Sequence, residues 1–340
     1  MFTNYQTTLG IGRASNWQSP VICNKYLMIL SESIEKVDKV VGDLSCGLPY
    51  SYEQRLSNIE CLGPLATYLH YFKNGENNSL IYLISMAMGN SVVSQIGTTG
   101  IYQRVITLDT NIAQKVLTLA IDKITSIHEL GTVKINGFKI TGTIGQLITV
   151  EFSIISNNRI IDSAINTKVL IDGLALSQIL ESDNLIPLTL NAATCEIGEY
   201  NILRTEFGIS AFEIVFNRGL SYDFVSNGFE SLEPIEDGQP KFEFNITMDY
   251  YNVKDFISKY NSRTICDSAL KFLGNYISDG YSNEWIFQFN RMVLVNETDI
   301  INNSGLQPLT LKFIPIADEN YGNINPLRIF ITGKEHENIS

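Results

Sequence analysis

Two carboxylates facing each other across a cleft are the residues glycoside hydrolysis needs, and Glu32 with Glu35, or Asp249 with Asp255, are such pairs in this chain. An acidic chain supplies pairs of this kind without any catalytic requirement. With 36 Asp and Glu among 340 residues, a β-sandwich glycosidase is therefore the enzyme alternative to weigh against other classes. His70, His128 and His336 lie far apart, and none has a second His or Cys at ligand spacing, so no zinc site is assigned. Cys23, Cys46, Cys61, Cys195 and Cys266 contain no Cys-x-x-Cys pair, and their odd number argues for free thiols over a disulfide framework. The sequence contains no Gly-x-Ser-x-Gly elbow, phosphate-binding loop or His-Glu-x-x-His segment. Gly10-Ile11-Gly12 lacks the third glycine of a dinucleotide fingerprint and reads as a turn. No catalytic, cofactor or metal residue is assigned, and no cofactor is expected.

Net charge bears on partners. The chain carries 24 Lys and Arg, for a formal charge of −12, which disfavours tight nucleic-acid binding because such binders gain affinity by neutralising phosphates. Residues 1–170 hold 13 basic and 12 acidic residues, whereas residues 171–340 hold 11 and 24. The acidic half is either a device for solubility or a surface that repels polyanions. No apolar run is long enough for a membrane span and the start lacks a signal-peptide pattern, so the chain is expected in cytoplasm, with no membrane partner.

The elements that must position any site are mostly strands. Hydrophobic residues make up 44% of the chain, enough for a real core, and apolar residues alternate with polar ones in short runs bounded by Asn, Gly, Asp and Ser. In 147–154, Ile148, Val150, Phe152 and Ile154 share one face, with Thr149, Glu151 and Ser153 on the other. Residues 133–141, 212–216, 242–248, 285–295 and 309–316 read as strands in the same way. Two helices are predicted. One runs over 78–88 and is capped by Gly89; the other runs over 253–272, with Phe256, Ile257, Tyr260, Ile265, Ala269 and Phe272 as its stripe and Gly274-Asn275 at its end. Each half thus reads as a strand, a helix ending in Gly-Asn and a strand pair, which is a diverged duplication.

Ordered motifs carry a resemblance. Gly12-Arg13-Ala14-Ser15-Asn16-Trp17, Ser19-Pro20-Val21 and Leu30-Ser31-Glu32-Ser33-Ile34 come first, followed by Cys61-Leu62-Gly63-Pro64-Leu65. The helix ending at Met88-Gly89 is followed by 117–123 and by Gly131-Thr132-Val133-Lys134-Ile135-Asn136-Gly137. In this order the chain resembles the two-domain tail tube proteins of long-tailed bacteriophages. The resemblance covers most of residues 5–165 at motif level, and the rest as a repeated plan.

What the resemblance implies is a mainly β fold of two tandem tail-tube-like β-sandwich or barrel domains, 1–168 and 169–340, each with one flanking α-helix. Chains would join into rings, three chains giving a pseudo-sixfold ring, and rings would stack into a tube for DNA passage without tight binding. The expected location is the virion tail, after assembly in host cytoplasm, with tape measure, terminator and baseplate proteins as neighbours. Thr149, Glu151, Ser153, Thr310 and Lys312 are the candidate channel-facing residues, though a solvated outer face would alternate in the same way. Three segments are candidate inter-ring arms: 43–52; 91–102, with Gly97, Thr98 and Gly100 at its tip; and 220–239, with Glu233, Glu236 and Asp237 at its tip. A carbohydrate-binding or adhesin-like module, using Tyr68, Tyr71 and Tyr250-Tyr251 for stacking, is the binding alternative. A tube or terminator component of a contractile tail-like apparatus shares the fold.

Overall fold

The computed structural model describes residues 7–17, 19–41, 55–72, 79–113, 115–181, 185–190, 193–197, 200–201, 209–221, 232–249, 265–278, 280–299, 308–317 and 325–334. The first half contains β1 (Thr7–Ala14), β2 (Lys25–Ile29), β3 (Ser31–Glu32), β4 (Glu35–Val41), β5 (Arg55–Tyr68), β6 (His70–Phe72) and α1 (Ser79–Met88). It continues through β7 (Gly89–Gln95), β8 (Tyr102–Leu108), β9 (Val116–Asp122), β10 (Ile127–Thr143), β11 (Thr149–Ser156) and β12 (Arg159–Ile161). α2 (Lys168–Glu181) leads to β13 (Leu185–Pro187), β14 (Ala193–Ile197), β15 (Tyr200–Asn201), β16 (Ile209–Asn217), β17 (Leu220–Ser221) and β18 (Ile235–Glu236). β19 (Lys241–Asp249), β20 (Ile265–Ser278), β21 (Tyr281–Asp299), β22 (Pro308–Pro315) and β23 (Arg328–Gly333) complete it.

The fold is mainly β, and among the described residues every ladder is antiparallel. One order of neighbours occurs twice. In the first half it is β4, β5, β11, β10, β9, β1, β2. In the second it is β16, β19, β22, β21, β20, β14, β15. β12 continues β11 along β10, and β23 continues β22 along β21. The joined strands branch rather than closing into a barrel. The branch point is β10, which holds β11 and β12 on one edge and shares the other between β9 and β16. β16 therefore extends the first half's sheet directly into the second half's, and β8 pairs with β23 to tie the halves a second time.

One continuous core backs these sheets. Alternation puts Phe138, Ile140, Val150, Phe152, Phe212, Ile214, Phe216, Phe242, Phe244, Ile246, Leu311 and Phe313 on the dry side, all buried in a cluster that runs from Leu9 to Ile331. Phe216 stacks on Phe242 at 4.8 Å between centroids, and Phe244 on Phe289 at 4.7 Å. Offset ring pairs add to simple area burial.

α1 lies where the sequence predicts it, but it has no wet face. All ten residues are buried, and Gly89 ends the helix at φ +94°, a conformation that only glycine adopts without strain. The second predicted helix is a correction. Residues 265–272 belong to β20, and 253–264 lie outside the described residues. In β20 the buried residues are Cys266, Ser268, Leu270 and Phe272, a period of two, whereas Ile265, at the i−4 position of the expected stripe, is exposed. The second helix is instead α2, which packs Ile171 against Gly10 and Cys23. Gly10-Ile11-Gly12 is not the turn expected but lies within β1, paired to β2 and β9, and a Cβ on Gly10 would come within 2.7 Å of the Ile171 Cδ1.

Candidate functional site

The sequence-predicted wet residues of the two halves fall on one face of one sheet. Cross-strand register sets Glu151 opposite Lys139 and Thr149 opposite Thr141. Thr141 faces Glu213, Glu213 faces Asn245, and Asn245 faces Lys312. Thr149, Glu151 and Ser153 are thus joined to Thr310 and Lys312 through β10, β16 and β19. The face is laced with polar contacts. The Thr141 and Thr149 hydroxyls lie 2.7 Å apart, those of Thr247 and Thr310 3.0 Å apart, and Asn245 Nδ2 donates to Glu213 Oε1 at 3.0 Å. Lys139 pairs with Glu213 at 2.5 Å and Lys312 with Glu243 at 2.7 Å. Glu151, Ser153, Lys139 and Lys241 are exposed, while the other residues of these pairs are half-buried. Lys139, Lys241 and Lys312 interleave with Glu151, Glu213 and Glu243, so the face is polar and of mixed sign.

The strand joint beneath this face is close. A Cβ on Gly137 would sit 2.1 Å from the Phe216 carbonyl oxygen, and one on Gly142 would sit 2.3 Å from the Phe212 ring. Glycine at both positions lets β10 and β16 approach.

Two buried cations lock the same joint. Arg218, only 1% exposed, donates from Nε to Ala87 O at 3.0 Å and from Nη2 to Met88 O at 2.7 Å, capping the last carbonyls of α1. Its Nη1 donates to Asp109 O at 2.9 Å and pairs with Glu236. Lys134 donates to Pro234 O at 2.9 Å and pairs with Glu233 at 2.6 Å. Burial lowers the pKa of both cations, and their acidic partners work against that shift. Asn136 Oδ1 accepts from Leu220 N at 2.7 Å, and Asn136 O accepts from Arg218 N at 2.7 Å. The Lys134-x-Asn136 part of the Gly-x-x-Lys-x-Asn-Gly motif therefore grips Arg218, Leu220, Glu233 and Pro234 of the other half. No sequence signal marked Arg218, because the carbonyls it satisfies lie about 110 to 130 residues away.

The candidate arms are placed as follows. Residues 91–102 form a hairpin of β7 and β8, with Gly97 at φ +57°, Gly100 at φ +68° and Thr98 exposed at its tip. Glu233 and Glu236 are the counter-ions of Lys134 and Arg218, and Asp237 is exposed, its N–H bonded to Gly219 O at 2.9 Å. Segment 43–52 lies outside the described residues.

The groups that suggested other chemistry have structural surroundings. Glu32 pairs with Lys123, while Asp255 lies outside the described residues. Burial pushes the Cys23, Cys195 and Cys266 thiols up to about 12, which holds them as inert thiols at neutral pH. Tyr71 is buried, its hydroxyl accepting from Asn275 N at 2.8 Å, which removes it as a sugar-stacking surface. Tyr68 is half-buried at the end of β5, and Tyr250-Tyr251 lies outside the described residues. Among the described residues, no group of three or more His, Cys, Asp or Glu is arranged to hold a metal ion, and no helix is long and apolar enough to cross a membrane.

No curated protein sequence matches the chain. The family model described as phage tail tube protein matches residues 7–307, from the first strand of the first half to the last hairpin of the second. With a repeated antiparallel sheet, a polar face crossing both repeats and a family match over most of its length, the chain belongs to the phage tail tube protein family.

Proposed function

We propose that copies of this chain form rings that stack into the hollow tail tube through which viral DNA leaves the capsid, with the polar face of β11, β10, β16, β19 and β22 lining the channel. Family membership makes the chain a structural component of the virion tail. The observation that carries the finer reading is the continuity of that face across the β10–β16 ladder. A sheet that already runs through two repeats needs only further copies to become a wall. Two tail-tube-like units, divided at 168/169, each hold one round of the repeated strand order, so three chains would supply six units. Tape measure, terminator and baseplate proteins are the proposed neighbours, and host cytoplasm is the proposed place of assembly. DNA is the transient cargo.

The face suits a conduit because its Lys and Glu residues alternate at cross-strand spacing. Their fields cancel within the ~8 Å Debye length of physiological salt, leaving hydrated walls that neither grip nor strongly repel phosphate. The excess acidity of the second half is not concentrated on these strands.

Negative-stain microscopy of concentrated protein is expected to show rings or hollow filaments of regular repeat. A stable monomer with affinity for glycans would instead favour the binding-module alternative. The combined substitution Glu151→Lys, Glu213→Lys and Glu243→Lys should leave tubes intact while lowering DNA delivery in infection assays. Unaltered delivery would remove the channel assignment of this face.

A further inference from the structure

We infer that successive copies join by strand addition between the C-terminal half of β21 in one copy and the β3–β4 edge of the next, in the register that β10 and β16 display within one chain. The inference rests on the tube reading and names the edges that would build it.

The repeat supplies the template. In the first half, the β10 edge beyond β9 is covered by β16, from Gly137 opposite Asn217 to Thr143 opposite Ala211. β21 takes the place of β10 in the second half, and its ladder with β20 ends at Ile265 opposite Val293. Among the described residues, no strand covers that edge of β21 from Leu294 to Asp299. β16 lies outside β19 as β3 and β4 lie outside β5, and among the described residues β3 and β4 pair with β5 alone. One chain thus has the socket of a joint at one end and the insert of the same joint at the other.

Register fixes the equivalence residue by residue. Thr141 faces Thr149 in the first hairpin, and Thr298 faces Thr310 in the second. Asn245 lies between Lys312 and Glu213, while Ala66 lies between Glu151 and Ser31. Glu213 and Ser31 therefore hold the same position in the repeat. Because Thr141 faces Glu213 within the chain, Thr298 should face Ser31 of the following copy. Two exposed apolar side chains flank these edges, Val295 at 49% and Leu30 at 39%, and both would gain cover. An open edge is an aggregation hazard unless it finds a designated partner, and two different patches meeting head to tail close into a ring when the rotation divides the circle.

The test uses the full chain under conditions where it assembles. Oxidation or a short bis-maleimide should convert the double variant Ser31→Cys/Thr298→Cys into covalent oligomers, with loss of the monomer band on denaturing gels. Each single variant should stay monomeric on the same gel. Normal tubes from the double variant that still run as monomer would overturn this edge pairing while leaving the tube reading intact. If the double variant does not assemble, hydrogen exchange of the unmodified chain decides. Slowed exchange at 294–299 and 31–35 on assembly supports the pairing, and unchanged fast exchange in both segments within formed tubes refutes it. Unmodified protein that gives neither rings nor tubes in the microscope brings down the tube reading and this pairing together.

Discussion

Arg218 concentrates more of the molecule's cohesion than any other single side chain described above. Its guanidinium, itself almost wholly buried, satisfies two carbonyls at the end of α1, one at Asp109 and the half-buried Glu236 carboxylate. Arg218→Met should cost about 3–5 kcal/mol, since Glu236 is left as a carboxylate without its partner and the helix end loses its donors. Arg218→Lys should restore little, because one ammonium cannot reproduce the planar fork. Urea unfolding of both variants checks this. His70 gives a pH-dependent prediction at the same scale. Burial pushes its pKa down to about 4, while Nδ1 lies 2.8 Å from Tyr68 O. Between about pH 6.5 and pH 4 the unfolded chain binds a proton that the folded chain does not, so this contribution is complete above about 6.5 and lost on acidification, by about 3 kcal/mol. His70→Gln should flatten the stability profile in that window, as denaturant midpoints measured across it would reveal. Composition pointed to neither residue. A lone Arg between Asn217 and Gly219 and a lone His at the start of β6 have no local signature, because the carbonyls that Arg218 satisfies lie far off in sequence and the burial of His70 is set by the tertiary fold.

Elements were legible wherever one face is wet. Alternation in 147–154 predicted the burial of Ile148, Val150, Phe152 and Ile154, because antiparallel sheets with one solvated face impose a period of two. The same logic explains the misreading of 265–272. Ile265, Ala269 and Phe272 match a helical spacing by coincidence, whereas the burial of Ser268 with Cys266, Leu270 and Phe272 and the exposure of Ile265 follow a period of two. α2 escaped notice because its apolar residues are not confined to one stripe; Val169 and Leu176 point outward at 82% and 58% exposure while Ile171 is buried. Glycines at element joints give the sharpest tests here. Gly89→Ala should destabilise by about 1–3 kcal/mol, since φ is positive and the new Cβ would lie 2.9 Å from Asp109 Cβ. Gly137→Ala should cost a similar ~1–3 kcal/mol by forcing β10 from β16. Thermal unfolding measures both. A Gly137→Ala chain that melts like the parent would show that the strand joint tolerates separation.

At the scale of the whole molecule, two features were readable in advance and a third was not. Motif order named the family, and the wet residues of β11 and β22 identified a polar face. What spacing could not reveal is that both sets share one sheet, since only the ladders from β10 through β16 and β19 to β22 bring Glu151 and Lys312 together. The mixed sign of the face was foreshadowed by Glu151 and Lys312 among its wet residues, but the ion pairs that set it were not. A half-chain excess of acidic residues suggested a repelling wall, yet Lys139 and Lys312 sit beside Glu213 and Glu243 and neutralise it locally.

The ladder from Gly137 to Thr143 has a kinetic consequence. Because it is tethered by one polypeptide, that contact forms at the high effective concentration of an intramolecular encounter and surrenders no translational freedom of a separate body. A circular array made of such chains must contain an even number of repeats, and diffusion has to find only every second seam. Nucleation should accordingly depend on protein concentration with a lower reaction order than if each repeat were a free molecule.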